Sequence, residues 1–90
     1  MTKSRKWNLY LLECEGGKIY TGISPDVEER FRKHKAGTGA IFTRINRPVR
    51  ILAAKEYPNQ SQVACAEAKM KKQSHSYKLI WAEAHAWVKS

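Results

Sequence analysis

No apolar run in this 90-residue chain approaches the roughly 18 residues that a membrane-spanning helix needs, so an integral helical membrane protein is excluded. Cysteine is scarce. Cys14 and Cys65 are separated by a distance that fits no zinc-knuckle or redox spacing, and His34, His75 and His85 form no cluster with them, so no zinc site is expected. The N-terminus is basic but no apolar segment follows it, so no secretion signal is visible. The two apolar-flanked thiols are therefore expected to be buried and reduced in a cytoplasmic protein. Glycine (5) and proline (3) are few, apolar residues make up 42% and charged residues 28%, which excludes collagen-like, low-complexity and disordered classes. Length is short too. A chain this size buries little more than about 60% of its unfolded surface, so it cannot enclose a large cofactor. Its chemistry is expected in a shallow site with few residues.

Acids are the other shortage: 8 Asp+Glu against 17 Lys+Arg, a net charge of +9. The excess is concentrated. Eight basic residues (Arg30, Arg32, Lys33, Lys35, Arg44, Arg47, Arg50, Lys55) lie between positions 30 and 55, with no acid among them. A merely soluble face normally mixes both signs. This one favours a polyanion, and nucleic acid is the expected partner.

The pattern along the chain reads as one α+β domain (1–90) of order ββαβαα: a small three-stranded antiparallel sheet flanked by three helices. Residues 1–6 are expected to fray. Residues 7–14 and 18–24 read as strands joined at Glu15-Gly16-Gly17, and 50–57 as a third strand. Ser24-Pro25-Asp26 opens a helix, with Ser24 as its cap, that runs to about Ala36 and stops at Gly37. Residues 37–49 read as a loop. Ser61 is expected to cap a second helix to about Lys72, and Ser74 a third to about Val88.

On the first helix Val27, Arg30, Phe31 and His34 fall at i, i+3, i+4 and i+7, a single face. Two apolar residues belong there. An arginine and a histidine must be paired, face a site, or reach water from the edge of the stripe. On the second helix, counting about 100° per residue from Val63, Glu67 falls near 40°, inside the stripe with Ala66 and Met70. An inward carboxylate calls for a cation. Either an ion pair with Arg30 or a metal would serve. In the hairpin, a three-residue turn sets Tyr10 opposite Gly22 and Tyr20 opposite Leu12, with both phenols on one face; a two-residue turn sets them on opposite faces. Gly22 is expected to leave open space beside Tyr10, where a phosphate approaches. On the third helix Ile80, Ala84, Trp87 and Val88 share a face that reads as core.

Taken in order, Asn8-Leu9-Tyr10, then Tyr20-Thr21-Gly22, Arg30, His34 and Glu67 resemble the signature of the GIY-YIG nuclease domain, over about Trp7 to Lys78. The first signature is degenerate, and the likeness is greatest to small single-domain members. Two positions depart from other members: Ile23 stands where many have a polar or basic residue, and Leu79 lies near the place of an asparagine used by larger ones. The resemblance implies a divalent-metal-dependent DNA nuclease, a hydrolase cutting phosphodiester bonds as an endonuclease, in DNA repair, recombination or processing. It implies Glu67 as ligand of one Mg²⁺ or Mn²⁺, Arg30 on the scissile phosphate, one of Tyr10 and Tyr20 as general base, and His34 helping to take the proton. Lys33, Thr43, Arg44, Arg47 and Arg50 are candidate nucleic-acid contacts. Phe42 either stacks on a base or packs under its loop. One exposed loop with no duplex clamp leans toward single-stranded or branched DNA. A protein partner or a homo-oligomer is the other source of affinity. The competing reading is a non-catalytic basic nucleic-acid-binding module on the same fold. A membrane-surface protein is disfavoured, since no helix pairs a large apolar face with cationic flanks.

Overall fold

The computed structural model describes residues 5–88, so most of the segment expected to fray lies outside the described residues. The elements are β1 (Trp7–Cys14), a short turn of 3-10 helix (Glu15–Gly17), β2 (Lys18–Ser24), α1 (Val27–Lys35), α2 (Ile41–Ile45), β3 (Pro48–Tyr57), α3 (Gln60–Lys71) and α4 (His75–Ala84). The sheet is antiparallel with order β2-β1-β3.

The three-residue turn sets the register. Gly16 and Gly17 take positive φ (77° and 72°), which glycine tolerates at no steric cost. Tyr10 then pairs with Gly22 and Leu12 with Tyr20. Side chains alternate across the central strand. Leu9 and Leu11 join Ala53, Val63, Met70 and Ala82 in one apolar cluster, which α3 and α4 cover. Tyr10, Leu12 and Cys14 join Val27 in a second, with Tyr20, Phe31, Ile51 and Trp87 at its margin. Both tyrosines therefore face the second cluster.

Several boundaries differ from the sequence reading, each for a hydrogen-bonding reason. Asp26, not Ser24, caps α1, accepting from the Glu29 N–H at 3.1 Å; Ser24 Oγ bonds back to the Asp26 backbone. Asn59, not Ser61, caps α3 by accepting from the Gln62 N–H at 2.9 Å. Ser74 does cap α4. The helix ends at Ala84, not Val88, because the following residues pair with the free edge of β3: the Ala54 N–H donates to the His85 carbonyl, and the Trp87 N–H to the Leu52 carbonyl. This covers an edge that would otherwise leave backbone groups unpaired. The face assigned as core on that helix is thereby corrected. Ile80 is 67% and Val88 79% exposed, while Lys78, Trp81, Ala82 and His85 turn toward the body. Cys65 is exposed, not buried; Cys14 is buried, and both are free thiols. The stretch 37–49 is not all loop, since it contains α2, a fourth helix. Among the described residues no helix is long and apolar enough to cross a membrane.

The space beside Gly22 is not open. A Cβ built there would lie 2.5 Å from the Tyr10 hydroxyl oxygen and 2.8 Å from Tyr20 Cε2, so the phenols themselves fill it. Tyr10 is 1% exposed and has nowhere to retreat. Gly22→Ala is expected to destabilise the fold by about 1–3 kcal/mol, the usual cost of overpacking. Thermal unfolding with near-ultraviolet circular dichroism checks this; a variant with an unchanged melting temperature and an unchanged tyrosine signal contradicts it.

Candidate active site

Four side chains expected from the sequence converge at the sheet face that carries the tyrosines. α1 starts at its Asp26 cap with Glu28 and Glu29 in the first turn and ends at Gly37 (φ 83°), with Arg32, Lys33 and Lys35 in its last turn, all favourable to the helix dipole. That start turns Val27, Phe31 and His34 to the sheet face that carries Tyr10, with α1 lying across β3 and β2. His34 is 1% exposed. Its Nε2 lies 2.9 Å from the Tyr10 hydroxyl and its Nδ1 2.7 Å from Thr43 Oγ1. Thr43 in turn donates its one hydroxyl proton to the Ala40 carbonyl at 2.9 Å. Thr43 must therefore accept from Nδ1–H, which leaves Nε2 bare to accept from the Tyr10 O–H. The chain runs in one direction: Tyr10 to His34 to Thr43 to the backbone.

Electrostatics keeps this chain uncharged. Burial first, and then the Arg30 charge, push the His34 pKa from 6.5 down to about 4. Burial, and next the proximity of Tyr20, push the Tyr10 phenol well above the ordinary tyrosine range. Arg30 opposes that shift, both by charge and by a side-chain hydrogen bond to Tyr10. Tyr20 is half-buried, and burial raises its pKa as well, with Lys71 and then Arg30 pulling it down. Its ring lies 5.0 Å from that of His34 and 6.3 Å from that of Tyr10. Backbone also makes room for the imidazole. A Cβ at Gly39 would collide with the His34 ring, so the Gly-Thr-Gly-Ala stretch is a spacer as well as a turn.

Glu67 stands on α3, which packs across β2 and β1. Val63 and Met70 are buried and Ala66 half-buried, as the stripe requires. The Glu67 side chain is 23% exposed and pairs with Lys71 at 3.3 Å. Its charge acts on both tyrosines. The expected partner was Arg30 or a metal; the observed one is a lysine one turn along the same helix. Lys71 was missed by the sequence reading. The signal was present, a lysine four residues after a carboxylate, but that pairing is common on ordinary helix surfaces. Among the described residues no three His, Cys, Asp or Glu side chains gather as a metal cage. One half-buried carboxylate beside open solvent suits a hard cation that keeps its own waters and takes other oxygens from a substrate phosphate, as Mg²⁺ does. It does not suit zinc.

The outer basic residues divide. Lys33, Arg44 and Arg47 are exposed, and Arg30 and Lys33 line an open cleft of about 510 Å³ with Trp7, Ile23 and Asp26. Arg50 is already ion-paired to Glu13 at 2.6 Å. Thr43 is corrected outright: at 1% exposure, with its hydroxyl used by His34 and Ala40, it is no phosphate contact. Phe42 packs in part against the site, with its ring 5.8 Å from that of Tyr20, and 37% of the residue stays exposed.

A sequence profile of the GIY-YIG catalytic domain matches residues 6–80. A UPF0213 protein of Cupriavidus pinatubonensis is 47% identical over 90% of both chains. One of Xanthomonas campestris is 43% identical over 93% of this chain and 82% of its own. The solution NMR structure of a UPF0213 protein from Bacillus halodurans, 33% identical, superposes with a TM-score of 0.55 over 88% of this chain and 84% of that one. That of a protein from E. faecalis, 25% identical, gives 0.61 over the whole of both. The chain belongs to the GIY-YIG family, among its small single-domain UPF0213 members, and carries that family's nuclease-type α+β fold.

Proposed function

We propose that this protein is a divalent-metal-dependent DNA endonuclease in which Tyr10 carries a proton from the attacking water to His34. The observation that supports it is the directed hydrogen bond from Tyr10 to a neutral, buried imidazole. A free phenolate is not needed. As a water hydroxyl approaches phosphorus, its proton passes to the Tyr10 oxygen while the Tyr10 proton passes to His34 Nε2. His34 alone is a weak base at a pKa of about 4. A phosphodiester bound against Arg30 brings the negative charge that raises its affinity for the proton. Arg30 then stabilises charge gathering on the non-bridging oxygens. Glu67 is the residue that would hold Mg²⁺ or Mn²⁺, exchanging its pairing with Lys71 for the ion. Such an ion, when bound, supplies Lewis-acid stabilisation of the phosphate and leaving oxygen. Lys71, so released, remains next to Tyr20 as a second cation for the phosphate.

Lys33, Arg44 and Arg47 are the proposed backbone contacts, with Arg50 shared with Glu13, and binding falls steeply with salt as counterions are released. Single-stranded or branched DNA is the favoured substrate, in repair, recombination or processing. The proposed setting is the cytoplasm, as a single catalytic domain helped by a protein partner or a second copy.

Labelled single-stranded, duplex, flap and junction DNA incubated with Mg²⁺, Mn²⁺ or EDTA tests the reading. Cleavage is expected with metal, and Glu67→Gln is expected to lower it by about a hundredfold or more, the scale of losing a main electrostatic group. Salt-sensitive binding with no cleavage in any metal would show instead a non-catalytic binding module. In single turnover, Tyr10→Phe is expected to lose about 10²–10⁴-fold, the range of general acid–base catalysis, and Tyr20→Phe far less. Equal, small losses in both would remove the tyrosine relay.

A further inference from the structure

The short helix α2 carries an apolar ridge that packing does not explain. Ile41 is 70% and Ile45 73% exposed. They lie four residues apart, on one side of the helix. Counting about 100° per residue, Thr43 points the opposite way, and it is the residue anchored to His34. Phe42 flanks the ridge on one side, against Tyr20, and Arg44 on the other. Two isoleucines held outward on one side of a five-residue helix, beside the part-exposed Phe42, form a contiguous apolar patch that can take an occupant.

We propose that the Ile41–Ile45 ridge contacts the faces of unpaired bases in a DNA strand whose phosphate sits at Arg30. Three observations favour that occupant. No acid lies between positions 30 and 55, and Arg44 and Arg47 beside the ridge are exposed, so the surface is complementary to a polyanion. The ridge is continuous with the site through Phe42, whose half-exposed ring rests on Tyr20. Its chemistry also selects among DNA forms. A duplex hides its base faces in the stack and presents mostly polar edges and phosphate, which offer isoleucine little to bury against. A single strand exposes apolar base faces, and aliphatic side chains wedge between them as they do at unstacked steps. The inference rests on the nuclease reading only for where the strand runs. It concerns binding, not cleavage.

The test is carried out in EDTA, where no cutting occurs. Fluorescence anisotropy compares a labelled 20-nucleotide single strand with its blunt duplex, using wild type and Ile41→Ser/Ile45→Ser. The double variant is expected to keep the wild-type melting temperature, because both side chains are solvent-exposed. It is expected to lose about tenfold in affinity for the single strand, within the usual range for a base contact, and less than twofold for the duplex. A strand carrying 2-aminopurine is expected to brighten on binding wild type, as its bases unstack, and to brighten less with the variant. Equal losses on both DNA forms, or none on either, overturn the proposal. So does a ridge that serves another occupant: loss of binding to anionic vesicles, or of a dimer in sedimentation, with single-strand affinity unchanged. Metal-dependent cleavage by wild type alongside an unaffected variant refutes the ridge alone. Binding that follows the expected pattern with no cleavage in any metal refutes the nuclease reading alone.

Discussion

The hydrogen bond between the Tyr10 hydroxyl and His34 Nε2 is the constraint on which the rest of the site depends. It joins the central strand to α1 across 24 residues of sequence, inside a region where both groups are 1% exposed. A buried polar group that loses its partner costs about 1–3 kcal/mol, so neither residue is free to turn away. The direction of the bond follows from the opposite end of the imidazole. Thr43 has a single proton and gives it to the Ala40 carbonyl, which forces the histidine tautomer. A threonine on a five-residue helix thus decides which way a proton points at a tyrosine some distance off.

That coupling gives α2 two duties. One side of it holds His34 in place. The other presents Ile41, Ile45 and the edge of Phe42 to solvent, among cations. A segment of five residues is far too short to persist as an isolated helix. It is held by Thr43 and by the Asn46 side chain, whose amide donates to the Phe42 carbonyl at 3.2 Å. The anchor of the His34 ring and the exposed apolar ridge therefore share one small element. The glycines complete the design. Gly22 and Gly39 lie where side chains would strike the two tyrosines and the imidazole, so the close approach of backbone to ring is a requirement of the site as much as of the turns.

Much of this was legible in the chain because the site breaks the pattern of its own helices. Arg30 and His34 interrupt the inward stripe of α1, and Glu67 that of α3. Such residues announce themselves by violating periodicity. The facing of the tyrosines hung on the length of one turn, and the three-residue alternative is the one found. What stayed hidden is what tertiary contact creates. Residues 41–45 read as loop because Gly37, Gly39 and Pro48 surround them and no local signal reveals the anchor at His34. Thr43 looked like an exposed loop residue for the same reason. Lys71 looked like half of an ordinary helix-surface pair. The end of α4 was misplaced because residues 85–87 complete the hydrogen bonding of the β3 edge, and a strand edge that needs covering leaves no mark on the sequence that covers it.

The proposed relay from Tyr10 to His34 depends on the protonation of one ring. Long-range ¹H–¹⁵N correlation NMR of the histidines, followed from pH 8 down to the acid limit of the fold, reads it directly. His34 is predicted to show the neutral Nδ1–H tautomer at pH 7 and to take up its second proton only as the pH approaches 4. An Nε2–H tautomer, or titration at the ordinary 6.5, would mean that the imidazole does not stand ready to accept the tyrosine proton.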